Sequence, residues 1–258
     1  MKYKNIDLHY ATYGSGDTTI LLLHGFLESQ TMWDFFVQEY SKTYRVITLD
    51  LLGHGQTPCL GYVHTMEDQA DAVQAVLAET GTKKAIVMGH SMGGYIALAF
   101  AELYPEMVQA LVLQNSSALP DSEERKANRD RAIAAVKQNA TAFVRMSIAN
   151  LFSEGNREMY SEEIEDLRDQ ALQTPLQGIV AALEGMKVRK SRESMLHTSG
   201  LPILLVLGKQ DQSLPYDEHA PQAEGTPVKL VTYPYGHMAH IESRDALLEE
   251  TLRFFEGG

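Results

Sequence analysis

The chain has a single cysteine, Cys59, in 258 residues. A lone thiol closes no internal disulfide and builds no thiolate metal cluster, so nothing here calls for an oxidising compartment. Long apolar runs are also missing. The most extended, around Ile20–Leu23 and Ile203–Leu207, are strand-sized and fall far below the ~20 residues that cross a bilayer. Positive charge is scarce: 22 basic residues face 34 acidic ones, and the net charge of −12 repels phosphate backbones. The basic start, Met1-Lys2-Tyr3-Lys4, leads into no apolar stretch and does not read as a signal peptide. The end, Phe255-Glu256-Gly257-Gly258, carries no lipidation motif. The expectation is a soluble, cytoplasmic protein with neither nucleic acid nor membrane as a partner.

What is present is an ordinary globular composition, 44% hydrophobic and 22% charged. At roughly 150 residues per domain, the length lies between one domain and two. Short runs rich in Ile, Val and Leu recur at Ile20–Leu23, Arg45–Leu49, Ala85–Met88 and Ala110–Leu113. Continuous runs of this kind suit a parallel sheet buried on both faces. Helix-like segments separate them at Thr31–Tyr40, Thr65–Thr80 and Met92–Tyr104. Glu67 and Asp68 mark a helix start, Gly81 a helix stop, and Pro105 ends the third helix. After Leu113 the pattern changes to charged amphipathic helix from Pro120 to about Leu196. Strands resume at Pro202–Leu207 and Pro227–Tyr233, and a helix closes the chain from Arg244 to Phe255. The reading is an α/β doubly wound, mostly parallel sheet of seven or eight strands. Residues 1–118 and 199–258 form the core, with a helical cap at 119–198 inserted after the strand ending near Leu113.

One segment carries chemistry. Gly89-His90-Ser91-Met92-Gly93-Gly94 places Gly-x-Ser-x-Gly between a strand and a helix. A sharp strand-to-helix turn needs glycine on both sides of the serine, because side chains there collide with backbone. Such a turn lifts the Ser91 hydroxyl above the sheet, beside the free N–H groups at the next helix start.

With these residues the sequence resembles the α/β-hydrolase superfamily in its small capped form, across almost the whole chain. Leu23-His24-Gly25-Phe26 is similar to the family's oxyanion-loop His-Gly motif, and Asp50-Leu51-Leu52-Gly53-His54-Gly55 to its Asp-x-x-Gly-His-Gly turn. Chain order in the family is serine, then acid, then histidine. The resemblance therefore implies Ser91 as nucleophile, Asp211 as acid at the end of the penultimate strand, and His237 as base in Gly236-His237. Glu242 follows His237 by five residues, as in the family. His240 is the local rival for the base. Asp50 precedes Ser91 and fits the Gly-His-Gly turn better than the acid's role. The family's other acid site, after Leu113, offers only Gln114, Asn115 and Ser116. The oxyanion would be held by the backbone N–H groups of Phe26 and Met92.

Trp33, Phe143, Met146, Phe152 and Met186 are candidates for the pocket wall, although apolar stripes more often pack a core. The implied activity is hydrolysis of small to medium carboxylic esters through an acyl-enzyme, with no cofactor and no metal. A serine rather than an aspartate at position 91 argues against the haloalkane-dehalogenase and epoxide-hydrolase branches. Three alternatives use the same residues for other chemistry: carbon–carbon bond hydrolysis, a lyase step like that of the menaquinone-pathway synthase, or peracid formation. An anionic substrate would then look to a basic residue such as Arg145 or Arg189. A ligand receptor of the same fold is a further class.

Overall fold

The computed structural model describes residues 1–257, so Gly258 of the expected core lies outside the described residues. Two short strands, β1 (Lys2–Tyr3) and β2 (Ile6–Asp7), pair as a hairpin ahead of the main sheet. The main sheet is built from β3 (Tyr10–Tyr13), β4 (Thr19–Leu23), β5 (Arg45–Leu49), β6 (Ala85–His90), β7 (Val108–Gln114), β8 (Ile203–Gly208) and β9 (Lys229–Tyr233). Their order across the sheet is β3-β5-β4-β6-β7-β8-β9. All neighbours run parallel except β3, which lies antiparallel to β5 at the edge. This is the α/β-hydrolase architecture that the motifs imply. Within the main sheet, edge strand β3 is the one without a sequence signal: its Tyr-Ala-Thr-Tyr is half-buried to exposed and holds no apolar run. Outside that sheet, β1 and β2 have no signal either.

Alternation along each strand divides the core in two. Ile20, Leu22, Ile86, Met88 and Val112 point to one face, against Phe36 and Tyr40 of α1 (Asp34–Tyr40) and against Leu247 and Phe255 of α11 (Arg244–Gly257). Leu21, Leu23, Val87, Leu111 and Leu113 point to the other, against α2 (Met66–Glu79) and α3 (Met92–Leu103). Both faces being covered, the central strands β4, β6 and β8 are buried along their whole length and largely apolar. Helix α2 opens on a capping box: Thr65 Oγ1 accepts from the Asp68 N–H at 3.0 Å, and the Asp68 carboxylate accepts from the Thr65 N–H at 3.2 Å.

Between β7 and β8 lie α4 (Glu123–Gln138), α5 (Ala140–Ala149), α6 (Ser161–Ala171), α7 (Leu176–Lys187) and α8 (Glu193–Thr198). Their apolar stripes, including Ile133, Val136, Ile148, Leu167, Ile179 and Leu183, pack into the cluster that covers the α2–α3 face. Each such side chain stabilises the fold by about 1.5–3 kcal/mol. The insertion therefore shares the core rather than forming a separate one. Two short helices, α9 (Tyr216–His219) and α10 (Ala239–Glu242), follow β8 and β9.

The chain goes from β4 outward to β5, then returns to place β6 on the opposite side of β4. That reversal opens a crevice at the carboxyl ends of the strands, where ligands of open α/β sheets bind. Residues following β4, β6, β7, β8 and β9 meet there.

Candidate active site

Ser91 stands between the last residue of β6 and the first of α3, at φ +50° and ψ −114°. This is a strained conformation for a residue with a Cβ, and it is held from several sides. The Ser91 N–H donates to the Gln114 carbonyl at 2.9 Å, and the Ser91 carbonyl accepts from Ser116 Oγ at 2.8 Å. The glycines around it are sterically required: a Cβ on Gly89 would strike the backbone of Gly93, and one on Gly93 would strike the Leu23 carbonyl. Leu27, after β4, and Asn115, after β7, also have positive φ, at +64° and +44°. Backbone strain thus gathers at three neighbouring strand ends. The N–H groups of Gly94 and Tyr95 turn back to the Ser91 carbonyl, while that of Met92, first in α3, has no acceptor within the helix.

His237 follows β9, and its Nδ1 lies 2.6 Å from Oδ2 of Asp211, just beyond β8. The carboxylate only accepts, so Nδ1 carries the proton of that bond and neutral His237 keeps Nε2 as an acceptor. Asp211 also accepts from the Ser213 and Leu214 N–H groups at 2.9 Å each and from Asn115 Nδ2 at 3.2 Å. Burial works to raise the Asp211 carboxyl, but its contact with His237 and the hydrogen bonds from these donors outweigh it and hold the pKa below the usual carboxylate range. The Gly236 carbonyl accepts from the same Asn115 amide at 3.2 Å, which joins the two loops.

A second buried pair lies behind this one. His90 Nδ1 is 2.8 Å from Glu28 Oε2, and its Nε2 is 3.1 Å from the His237 carbonyl oxygen. Both partners are acceptors, so both ring nitrogens carry protons and His90 is a cation. Burial lowers the His90 pKa, and the Glu28 charge more than reverses this, leaving it raised. Glu28 answers in kind. Burial raises its carboxyl, but His90 pulls it down to about 2. Sequence reasoning assigned Glu28 nothing, since its partner is distant in the chain. His240, the rival base, packs beside Trp33 and His90, and burial followed by the His90 charge pushes its pKa down to about 3.

The glycine turns hold their own contacts. His24 donates from Nδ1 to the Gly25 carbonyl at 2.7 Å and accepts at Nε2 from the Leu51 N–H at 2.9 Å, which fixes a neutral tautomer. Asp50 accepts from the N–H groups of Gln30 and Gln56 at 2.9 Å each, pinning the Gly-His-Gly turn.

Ser91 and His237 open onto one cavity of about 340 Å³, walled also by Phe26, Leu27, Glu28, His90 and Tyr95. The insertion closes its far side with Ile148, Leu151, Leu183 and Met186, and with Arg125, Asn128 and Arg129 of α4. Of the five expected wall residues, Met186 lies there. Trp33 sits at 0% exposure in the core on the α1 face, and Phe152, also at 0%, lies in the core that the insertion shares with the α2–α3 face. Phe143 packs on that same core, and Met146 is exposed, at 61%. Arg145 pairs with Glu165 at the surface, and Arg189 is buried against Asp121 at 2.5 Å. Arg125 and Arg129, which the sequence reading passes over, are four residues apart and follow Asp121 by four and eight. That spacing is the signal which finds them. Among the described residues, no three His, Cys, Asp or Glu side chains gather as a metal site, and no helix is long and apolar enough to cross a membrane.

Comparison with known proteins agrees with this architecture. A family model described as alpha/beta hydrolase fold matches residues 18–243. The solved structure of a thermophilic esterase from Thermogutta terrifontis, with malate bound, superposes with a TM-score of 0.91 at 32% identity, covering 98% of this chain and 94% of that one. A putative 2-succinyl-6-hydroxy-2,4-cyclohexadiene-1-carboxylate synthase of Bacillus subtilis is 30% identical, with 86% of this chain and 85% of that protein covered. The dihydrolipoyllysine-residue acetyltransferase component of the acetoin cleaving system of Cupriavidus necator is 29% identical over 96% of this chain. The chain spans about two thirds or less of that protein and of several other curated relatives.

Proposed function

The chain belongs to the α/β-hydrolase fold family, and we propose that it is a serine hydrolase of carboxylic esters working through an acyl-enzyme on Ser91. The observation that carries this reading is the meeting, at one cavity, of Ser91 on its +50° turn and the His237–Asp211 pair at 2.6 Å. Similarity to an esterase at 32% identity over nearly the whole chain supports it.

In this scheme neutral His237 takes the Ser91 hydroxyl proton at Nε2 as Oγ bonds to the ester carbon. The carbonyl electron pair moves onto oxygen, where the N–H groups of Met92 and Phe26 receive it. One such donor is worth about 2.7–4 kcal/mol to the transition state. Collapse of the tetrahedral species breaks the bond to the alcohol, and the leaving oxygen takes the proton back from Nε2. Water then repeats the sequence on the acyl-enzyme, releasing the acid and free Ser91. Asp211 stays ionised throughout, fixing the His237 tautomer and stabilising the imidazolium. The insertion, residues 119–198, serves as a cap whose inner wall selects a small-molecule ester. The scheme calls for no metal or cofactor, and the lone cysteine is in keeping with a cytoplasmic setting.

A fluorophosphonate probe tests this. One equivalent is expected to label the wild type and none the Ser91→Ala variant; no labelling, or labelling that survives the substitution, sinks the reading. A second reading, a lyase step on the same residues, is favoured by the 30% identity to the putative synthase. Labelling of Ser91 without turnover of any ester would select it.

A further inference from the structure

The insertion brings more positive charge to the cavity wall than its folding uses. Asp121, 3% exposed, is met by three guanidinium groups: Arg189 at 2.5 Å, Arg125 at 3.4 Å, and Arg129 through both Nε and Nη2. Arg189 accounts for the structural need. It also donates to the Leu119 and Met186 carbonyls at 3.2 and 3.1 Å and lies over the Tyr95 ring at 4.1 Å, so it ties the start of the insertion to its end. With Asp121 matched to Arg189, the charges of Arg125 and Arg129 are left over.

These two side chains share one face of α4 with Asn128, and all three wall the cavity that Ser91 opens into. The charge of the acidic wall residue Glu28 is matched by His90 at 2.8 Å, and Glu28 forms no ion pair with either arginine. Cations in a partly enclosed cavity are costly unless an anion joins them. In a chain of net charge −12 their grouping is the more notable, because the surrounding field is negative. The planar guanidinium fork matches a carboxylate in particular.

We infer that the α4 wall is a carboxylate-binding subsite, so that the ester substrate carries a second, free carboxylate in its acyl or its alcohol half. Arg125 and Arg129 hold that carboxylate while Ser91 attacks the ester carbon. The inference rests on the ester-hydrolase reading above and names the substrate class for it.

Two matched pairs of esters test it in the full-length protein. The para-nitrophenyl monoester of adipic acid against para-nitrophenyl hexanoate puts the carboxylate in the acyl half. Para-acetoxybenzoate against phenyl acetate puts it in the alcohol half. In at least one pair the anionic ester is expected to lead in kcat/KM by about tenfold or more, the size of one charge-assisted contact. Arg125→Gln is expected to collapse that ratio, and Arg125→Lys to restore part of it. Arg129 bonds the buried Asp121 through two nitrogens and Arg125 reaches it through one, at 3.4 Å, so Arg125 is the position that better separates recognition from folding. Preference for the neutral ester in both pairs overturns the subsite, as does an anionic preference that persists in both Arg125→Gln and Arg129→Gln. If the fluorophosphonate labels Ser91 and neutral esters turn over without any anionic preference, the subsite alone fails. If neither occurs, the hydrolase reading fails with it.

Discussion

His90 Nε2 lies 3.1 Å from the carbonyl oxygen of His237, so the residue preceding the serine carries the loop of the proposed base. That contact puts a proton on Nε2, and Glu28 at 2.8 Å from Nδ1 calls for the second proton and supplies the countercharge inside the protein. The pair couples site geometry to pH.

The pKa of Glu28 drops from 4.5 to about 2, so its share of stability is present above 4.5 and lost as pH falls toward 2. The pKa of His90 is raised above 6.5, so its share is complete below 6.5 and lost as pH rises through the raised value. Together they stabilise most between those limits. Glu28→Gln leaves a buried cation unpaired and is expected to cost about 3–5 kcal/mol, with His90 turning neutral and its alkaline slope disappearing. Urea denaturation across the pH range measures both. A variant with wild-type stability and an unchanged pH profile would contradict the charged pair.

Asp211→Asn keeps the shape of the acid but offers His237 the wrong tautomer, and kcat is expected to fall by about 10⁴-fold with the fold intact. Asn115 supports the same carboxylate from a backbone at φ +44°. Asn115→Gly retains that backbone and loses the donor, so kcat is expected to drop about tenfold. Asn115→Ala adds about 1–2 kcal/mol of strain to the same rate loss. Steady-state kinetics beside thermal melts separates the two effects, and an Asn115→Gly enzyme at full rate would remove Asn115 from the site.

Glu242 joins the insertion to the His237 loop. Its Oε1 accepts from the Ser153 N–H at 3.1 Å, Ser153 Oγ at 2.6 Å and Asn156 Nδ2 at 3.0 Å, and its Oε2 accepts from the Gly236 N–H at 3.0 Å. Next to it the His237 N–H donates to the Leu151 carbonyl at 2.8 Å. Glu242→Gln turns one acceptor into a donor facing other donors, at a cost of about 1–3 kcal/mol or more. Both the denaturation midpoint and kcat are expected to fall. Loss of one without the other would mean that the insertion and the His237 loop are not held together here.

The sheet was readable because a strand covered on both faces spells a continuous apolar run, as Ile20–Leu23 and Ala85–Met88 do. Edge strand β3 escaped because one face meets water, and Tyr10–Tyr13 makes no run. The turn at Ser91 was readable because close backbone approach forces glycine at 89 and 93. The cavity wall was not, because apolar residues look alike whether they fill a core or line a hollow. Trp33 and Phe152 are wholly buried, while Leu27 and Leu151 line the hollow. Glu28 and Asn115 act through partners distant in sequence, 62 and 96 residues away, and only the folded chain brings those together. Arg125 and Arg129 lie in a helix so polar that Ile133 and Val136 are its buried residues, and their inward turn follows from Asp121.

The most direct measurement is rapid acid quenching of the enzyme with a para-nitrophenyl ester, followed by peptide mass mapping. The acyl group is expected on the peptide that contains Ser91, appearing with a burst of one nitrophenol per enzyme and absent from Ser91→Ala. Ester turnover with no acyl adduct, or turnover retained in Ser91→Ala, would contradict acyl transfer to Ser91.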